Sequence, residues 1–512
     1  MHSDRRIRSI AIVGGGTAGW TAASMLACML RNQLRSQDCA IQLIESPDIP
    51  TIGVGEATIP PILDLLRFLG IDQNDFIEHT QSTFKLGIKF KDWLRVGHQY
   101  WHPFGPFGVA IDRFRFQHCW QKAHALGFTK DVADYSAEIA LAAANKFIFP
   151  TNSLGIAPNL RYALHFDAGL VARYLRAYAE RLGVRRLERS VVSATLQANG
   201  HIDELIFKEG DKLKADFYID CSGFRGLLIE GALKTGYVDW TQYLPCNRAV
   251  AAPTAHTGPR TPYTLSTARS AGWQWRIPLQ HRVGNGYVYC SEHLSDEAAL
   301  QDLLAVIGHE PLNEPRYLRF VTGHRKQFWN GNCVTLGLAS GFLEPLESTS
   351  IQMIVNGMYN LLDHFPDKTF DPVNSAAYNA PLIEEFRHIR DFIVLHYCAT
   401  ERDDSPFWRH CKSMTLPDSL LARMELYRAS GRVFQQRFEL FTDLSWFFVL
   451  HGMGLKPRDY DPLVDAIDFE QVKNIMLQVR AKIAADAIAA PSHDSFFPQK
   501  PINLKTQHAV NA

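Results

Sequence analysis

The chain carries no net charge, no apolar run long enough to cross a membrane and no closely spaced cysteine pair. Lys+Arg and Asp+Glu number 53 each. That balance argues against nucleic acid and against an anionic membrane surface, since both call for a basic field. No stretch approaches the roughly 20 apolar residues of a membrane helix. The nine cysteines include no Cys-x-x-Cys and no Cys/His spacing suited to zinc, so no metal is expected. Their odd number reads as reduced thiols in a cytoplasm. Met1–Ser9 is polar and basic and runs straight into a strand pattern, which leaves no room for a signal peptide. Internal repeats and long low-complexity segments are missing too. What remains is an ordinary globular composition, 46% apolar and 21% charged over 512 residues. That is enough for a sizeable core, in two or three units or one large fold with insertions.

The strongest local pattern lies at the N-terminus. Ile10–Val13 is a short apolar strand leading into Gly14-Gly15-Gly16-Thr17-Ala18-Gly19. A helical stretch follows from Trp20 to about Leu34, then a second strand, Ile41–Glu45. The glycines allow a tight turn and close approach of a pyrophosphate to a helix N-terminus, whose free N–H groups favour an anion. Glu45, at the end of the second strand, is placed to accept hydrogen bonds from ribose hydroxyls. Two later strand-turns, Ala215–Gly226 and Cys333–Ala339, favour FAD over NAD; the second has Gly337-Leu338 where flavin hydroxylases usually carry Gly-Asp. Asn199-Gly200 and Asn285-Gly286 each sit between alternating apolar runs and predict hairpin turns. From about Asn374 the chain reads mainly as helices, and Ala490–Ala512 as an irregular tail.

Three motifs then resemble the flavin-dependent tryptophan halogenase family. They are Gly14-Gly15-Gly16-Thr17-Ala18-Gly19-Trp20, Trp273-Gln274-Trp275-Arg276-Ile277-Pro278 and Leu343-Glu344-Pro345-Leu346-Glu347-Ser348-Thr349. Gly53-Val54-Gly55-Glu56-Ala57-Thr58, Thr83-Phe84-Lys85, His102-Pro103-Phe104-Gly105 and His165-Phe166-Asp167-Ala168 add to them, in chain order. The resemblance implies an FAD cradle of Gly14, Gly16, Thr17, Ala18, Gly19, Glu45, Gly55, Glu56, Ala57 and Leu338. It places Trp273 and Trp275 beside the flavin, where they keep a substrate ring away from its reacting edge. It implies that Lys85 meets hypohalous acid, as a hydrogen-bond donor or as a haloamine. By pattern alone, Lys85, Lys89 and Lys91 form the solvated face of one strand, and only the resemblance singles out Lys85. Glu347 is implied as the carboxylate that stabilises the cationic ring and takes its proton; Glu344 is its local competitor. His102 and Phe104 would flank the ring, Ser348 would hold its N–H, and Thr349 and Ser350 would offer backbone N–H groups to halide.

One part of the family pattern is absent. Members that act on free tryptophan carry paired tyrosines and glutamates that hold the amino-acid ammonium and carboxylate. Between Arg432 and Asp443 no such segment aligns, which resembles the branch that brominates simple indoles. The expected fold is α/β: a Rossmann-type FAD module of the flavin monooxygenase kind over residues 1–365, with a substrate-side insertion at about 95–160. A mainly helical substrate module over 366–490 and the tail 491–512 complete it. The expected activity is halogenation of an electron-rich aromatic by FADH2, O2 and chloride or bromide, with a separate flavin reductase. The oligomeric state stays open, a homodimer included. An aromatic hydroxylase and a non-catalytic flavin-binding protein are the alternatives; Gly337-Leu338 argues against the first, and the joint presence of Lys85 and Glu347 against the second.

Overall fold

The computed structural model describes residues 4–48, 55–129, 131–150 and 159–497. Its organising element is a parallel sheet. Ser9–Val13 lies between Ala40–Glu45 and Phe217–Asp220, parallel to both. Arg185–Glu188 extends one side, and Cys333–Thr335 followed by Trp329–Asn330 extends the other; only that outermost pair is antiparallel. Ile10, Ala11 and Ile12 are fully buried, as a strand covered on both faces requires. The helix Thr17–Met29 follows directly and packs on the helix Ala168–Arg181. This is the Rossmann-type α/β module that the N-terminal pattern predicts.

A seven-stranded sheet stands beside it, in the order Arg316–Arg319, Arg248–Ala251, Val283–Tyr289, Gly272–Pro278, Thr264–Arg269, Gly87–Lys91, Gln99–Pro103. The last strand falls within the segment expected to be an insertion, and it is an integral edge of this sheet. Asn199-Gly200 does turn a hairpin, between Val191–Leu196 and Ile202–Phe207, with the Gln197 N–H donating to the His201 carbonyl at 2.7 Å. Asn285-Gly286 does not. It lies inside the strand Val283–Tyr289, and the turn falls at Leu279–Arg282. Glycine is needed there for packing, because Gly286 faces Trp275 across the ladder and a Cβ would come within 2.0 Å of the indole.

The helices Pro372–Cys398, Pro406–Ser413, Asp418–Ser430, Asp443–Gly452 and Phe469–Ala489 make up the C-terminal part. The main apolar core runs from Ile10 and Ile12 through Trp273 to Phe392 and Trp446, so both sheets and the helices contribute to it. Residues 490–497 wrap back over the body: Phe496 and Phe497 pack on Phe84, with ring centroids 5.7 and 5.5 Å away. Residues 498–512, and Gly53 and Val54, lie outside the described residues.

Candidate active site

Gly14 ends the first strand at φ +120°, and its N–H donates to the Ile44 carbonyl at 2.8 Å. A Cβ on Gly14 would lie 2.1 Å from the Cys221 carbonyl oxygen, and one on Gly19 would lie 1.8 Å from that of Gly14. These two glycines close the turn. A Cβ on Gly16 would meet nothing within 4 Å. Gly16 caps the helix Thr17–Met29 without any side-chain cap, so the first helical N–H groups face open space. That space is a cavity of about 590 Å³, a size that suits a cofactor. Gly14–Ala18, Glu45, Gly55–Ala57, Trp273, Trp275 and Leu338 line it, which brings together every predicted cradle residue except Gly19, buried beneath the loop. Glu45 lies across Gly15, where a Cβ would collide with its carboxylate, and it pairs with Arg186. Arg186 and Arg225 also line the cavity. No motif marks Arg186, whose charge is paired with Glu45 and Glu188, whereas Arg225 belongs to the strand-turn Ala215–Gly226.

Trp273 and Trp275 share one face of their strand, with ring centroids 6.1 Å apart. The buried Trp273 donates from Nε1 to Glu344 Oε2 at 2.8 Å, and the Tyr397 hydroxyl donates to the same oxygen at 2.6 Å. Burial pushes the Glu344 carboxyl up to about 7, against these two bonds. Glu344 is therefore committed to holding a tryptophan of the cavity wall.

The three lysines do not share a solvated face. Thr83–Lys85 belongs to a three-stranded sheet with Gly55–Ala57 and Ala163–Asp167, whereas Gly87–Lys91 belongs to the seven-stranded sheet. The chain changes sheets at Leu86, and Lys85 ends up fully buried while Lys91 is exposed. Lys85 Nζ donates to the Thr58 carbonyl at 2.9 Å and to Ser348 Oγ at 2.8 Å, and it sits 4.9 Å from the centre of the Phe104 ring. Burial lowers its pKa to about 7, with the Glu347 charge opposing.

Glu347 ends the short turn Pro345–Glu347, and Ser348 follows at φ +61°. His102 Nδ1 lies 2.7 Å from its Oε2. His396 Nε2 lies 2.8 Å from its Oε1, close in distance but bent in angle. Burial alone would raise this carboxyl; the two imidazoles outweigh it and hold it at about 2. The same turn faces two ways. Pro345 and Ser350 line the cavity, while Glu347 and Ser348 meet His102 and Lys85. Thr349 leads into the helix Ser350–Asp363, and its buried Oγ1 has no partner. His102 and Phe104 differ from the expected sandwich: their rings meet at 72° with centroids 6.4 Å apart, so they form a corner.

The tryptophan halogenase family model matches residues 9–469. The chain belongs to that family. It is 35% identical over 493 residues to tryptophan 7-halogenase RebH of Lentzea aerocolonigenes, covering 89% of this chain and 91% of the relative. Among solved structures it is similar to Xcc4156, a flavin-dependent halogenase from Xanthomonas campestris. That match has 43% identity and a TM-score of 0.92, over 97% of this chain and all of the other. It is also similar to BrvH, a flavin-dependent halogenase from Brevundimonas sp. BAL3, at 42% identity and TM-score 0.91, over 96% and 99%. The chain is thus a flavin-dependent halogenase, and the cavity, lined by an uncapped helix N-terminus, Glu45 and two indoles, fits a flavin dinucleotide.

In this halogenase, Arg432, Glu439 and Asp443 of the segment Arg432–Asp443 are paired with residues outside it. Glu439 is the one glutamate there, and its carboxylate is met by residues of the protein itself. Arg423 pairs with it at 3.0 Å, Trp446 Nε1 donates to it at 2.6 Å, and so does the Gln436 N–H at 2.7 Å. Arg432 pairs with Asp461 at 2.7 Å. No helix among the described residues is long and apolar enough to cross a membrane.

Proposed function

We propose that this halogenase uses reduced FAD, oxygen and bromide or chloride to halogenate a neutral, electron-rich aromatic of the indole class, and that free tryptophan is a poor substrate. The observation that carries the chemistry is the grouping of Lys85, Ser348, Glu347 and His102 behind the turn whose other side borders the cavity. Bound reduced flavin, with oxygen, supplies the oxidising equivalents that turn halide into hypohalous acid.

The chain's own residues do the rest. Gly14, Gly16, Thr17, Ala18, Glu45, Gly55, Glu56, Ala57 and Leu338 hold the dinucleotide, with Gly19 closing the turn. Trp273 and Trp275 wall off the aromatic substrate. The N–H groups at Thr349 and Ser350 favour halide, beside the unpartnered Thr349 hydroxyl. Lys85 receives hypohalous acid on the substrate side, where a buried amine with pKa near 7 serves as N–H donor or as nucleophile. Glu347 stabilises the cationic ring and accepts its proton. His102 and Phe104 form the corner against which the ring rests, and the Ser348 carbonyl takes its N–H.

The pairing of Glu439 supports the substrate class. The amino-acid ends of tryptophan would enter a site whose nearby carboxylate is already paired, and each unpaired buried ion costs roughly several kcal/mol. Indole brings no such charge. A separate reductase supplies the reduced flavin. The test is a product screen by mass spectrometry over tryptophan, indole and substituted indoles, with bromide and with chloride, in the presence of a flavin reductase. Tryptophan halogenated more efficiently than indole would overturn the substrate assignment.

A further inference from the structure

Glu347 is held at both ends, and the two ends are not equivalent. On one side stands His102. On the other stands His396, from the helix Pro372–Cys398, fully buried among Phe90, Trp93 and Phe392. His396 Nδ1 lies 2.5 Å from the hydroxyl of Tyr100. Tyr100 and His102 occupy alternate positions of the strand Gln99–Pro103, so both project to the same face. One strand therefore supplies both ends of a chain that runs Tyr100, His396, Glu347, His102.

The protonation states follow from the partners, and they are assigned from this network. Tyr100 is buried beside the Glu347 charge and keeps its proton. Its hydroxyl has no other acceptor among the described residues, so it donates to His396 Nδ1. A neutral His396 then carries its hydrogen on Nε2, the nitrogen that stands 2.8 Å from Glu347 Oε1 in a bent contact. His102 has no such lock, because its Nε2 has no partner among the described residues and its two tautomers remain open.

We propose that His396, fixed by Tyr100, is a positioning residue that keeps Glu347 ionised and steers the departing ring proton to the oxygen facing His102. This rests on the reading of Glu347 as the base. In the step itself the ring C–H bond breaks and its electron pair returns to the ring. The proton goes to the second lone pair of Glu347 Oε2, beside the contact with His102 Nδ1. Oε1 stays occupied by the donor that Tyr100 pins in place. The other ionisable groups facing this chain are Lys85 beside Glu347 and His98 beside Tyr100, with His451 behind His98. None of them replaces the N–H that His396 offers to Oε1.

The test reads the ionisation of Glu347 directly. Infrared difference titration of the carboxyl band, with Glu347→Gln as the blank, is run on wild type, His396→Leu, His396→Gln and Tyr100→Phe. Wild type should remain ionised throughout the pH range in which it is folded. His396→Leu should bring the titration up by about 1–3 units, with a matching acid limb in the rate of halogenation. His396→Gln, whose amide can still donate to Oε1, should recover most of that shift. Tyr100→Phe should move it in the same direction by less, and this change keeps the ring that packs on Phe90. No movement in His396→Leu and Tyr100→Phe, or a glutamine variant displaced as far as the leucine one, overturns the proposal. A carboxyl titration that moves while the halogenation profile does not would leave His396 as the positioning residue and remove Glu347 from its role as base.

Discussion

His102 Nδ1 stands 2.7 Å from Glu347 Oε2 at a point where the carboxylate has no exposure at all. A buried charge held this way is in place before substrate arrives and needs no reorganisation during the reaction. Glu347→Gln keeps the shape and removes the charge. It should slow halogenation by about 10²–10⁴-fold and leave flavin affinity unchanged. Glu344→Gln should cost less, since Glu344 holds Trp273 and Tyr397 and faces no substrate. Single-turnover rates of the two variants check the contrast, and similar losses in both would mean that Glu347 merely shapes the pocket.

Lys85→Ala should abolish halogenation while flavin binding and oxygen consumption continue, because the amine acts after hypohalous acid has formed. Retention of near wild-type halogenation would shift the role to Lys89 or to no lysine.

The buried amine also predicts a pH dependence of stability. Its pKa is 10.5 in the unfolded chain and about 7 in the folded one. Between these values the unfolded chain binds the proton and the folded protein does not, so stability rises with pH across that window. Relative to Lys85→Met, wild type should gain stability from about pH 7 to about pH 10, and the two should run parallel below it. Thermal melts of both proteins over this range measure the difference; a flat difference contradicts the burial argument.

Much of this was legible in the sequence, for identifiable reasons. The glycines of the first turn and the strand ending at Glu45 are set by local backbone demands, so they read directly. Lys85 could not be read by pattern, because a sheet change at Leu86 breaks the alternation that makes Lys85 and Lys89 look equivalent. Asn285-Gly286 looked like a turn because glycine there answers to the Trp275 indole across the ladder, a contact that no local window contains. His396 and Tyr100 were missed for the same reason: they lie 296 residues apart and meet only in the folded core. Arg186 joins the cradle through strand order alone.

Two glycine substitutions should separate binding from folding. Gly16→Val places its side chain in open cavity, so the protein should fold and melt normally but lose FAD. Gly14→Ala should destabilise the fold itself, since its Cβ meets the Cys221 carbonyl at 2.1 Å with φ at +120°. Equilibrium flavin titration and thermal melts distinguish them. Unchanged FAD affinity in Gly16→Val would place the pyrophosphate elsewhere.

Free tryptophan should show a lower kcat/KM than indole, and if the ring is held loosely, indole should react at C3, its most nucleophilic carbon. Bromide should work at least as well as chloride, because hypobromous acid tolerates imperfect placement. A higher kcat/KM for tryptophan, with halogen at one benzo-ring carbon, would show that the segment Arg432–Asp443 binds the amino-acid ends despite the internal pairing of Glu439.

The most direct test of the account is a single mass-spectrometric comparison. Purified wild type and Lys85→Ala are each given FAD, a separate flavin reductase with its nicotinamide donor, oxygen, bromide and indole. The account predicts a monobromo-indole isotope doublet from wild type alone, dependent on the reductase, with flavin oxidation continuing in both proteins. A hydroxylated product, flavin reduced rapidly by NADPH without the reductase, or equal bromination by Lys85→Ala would contradict it.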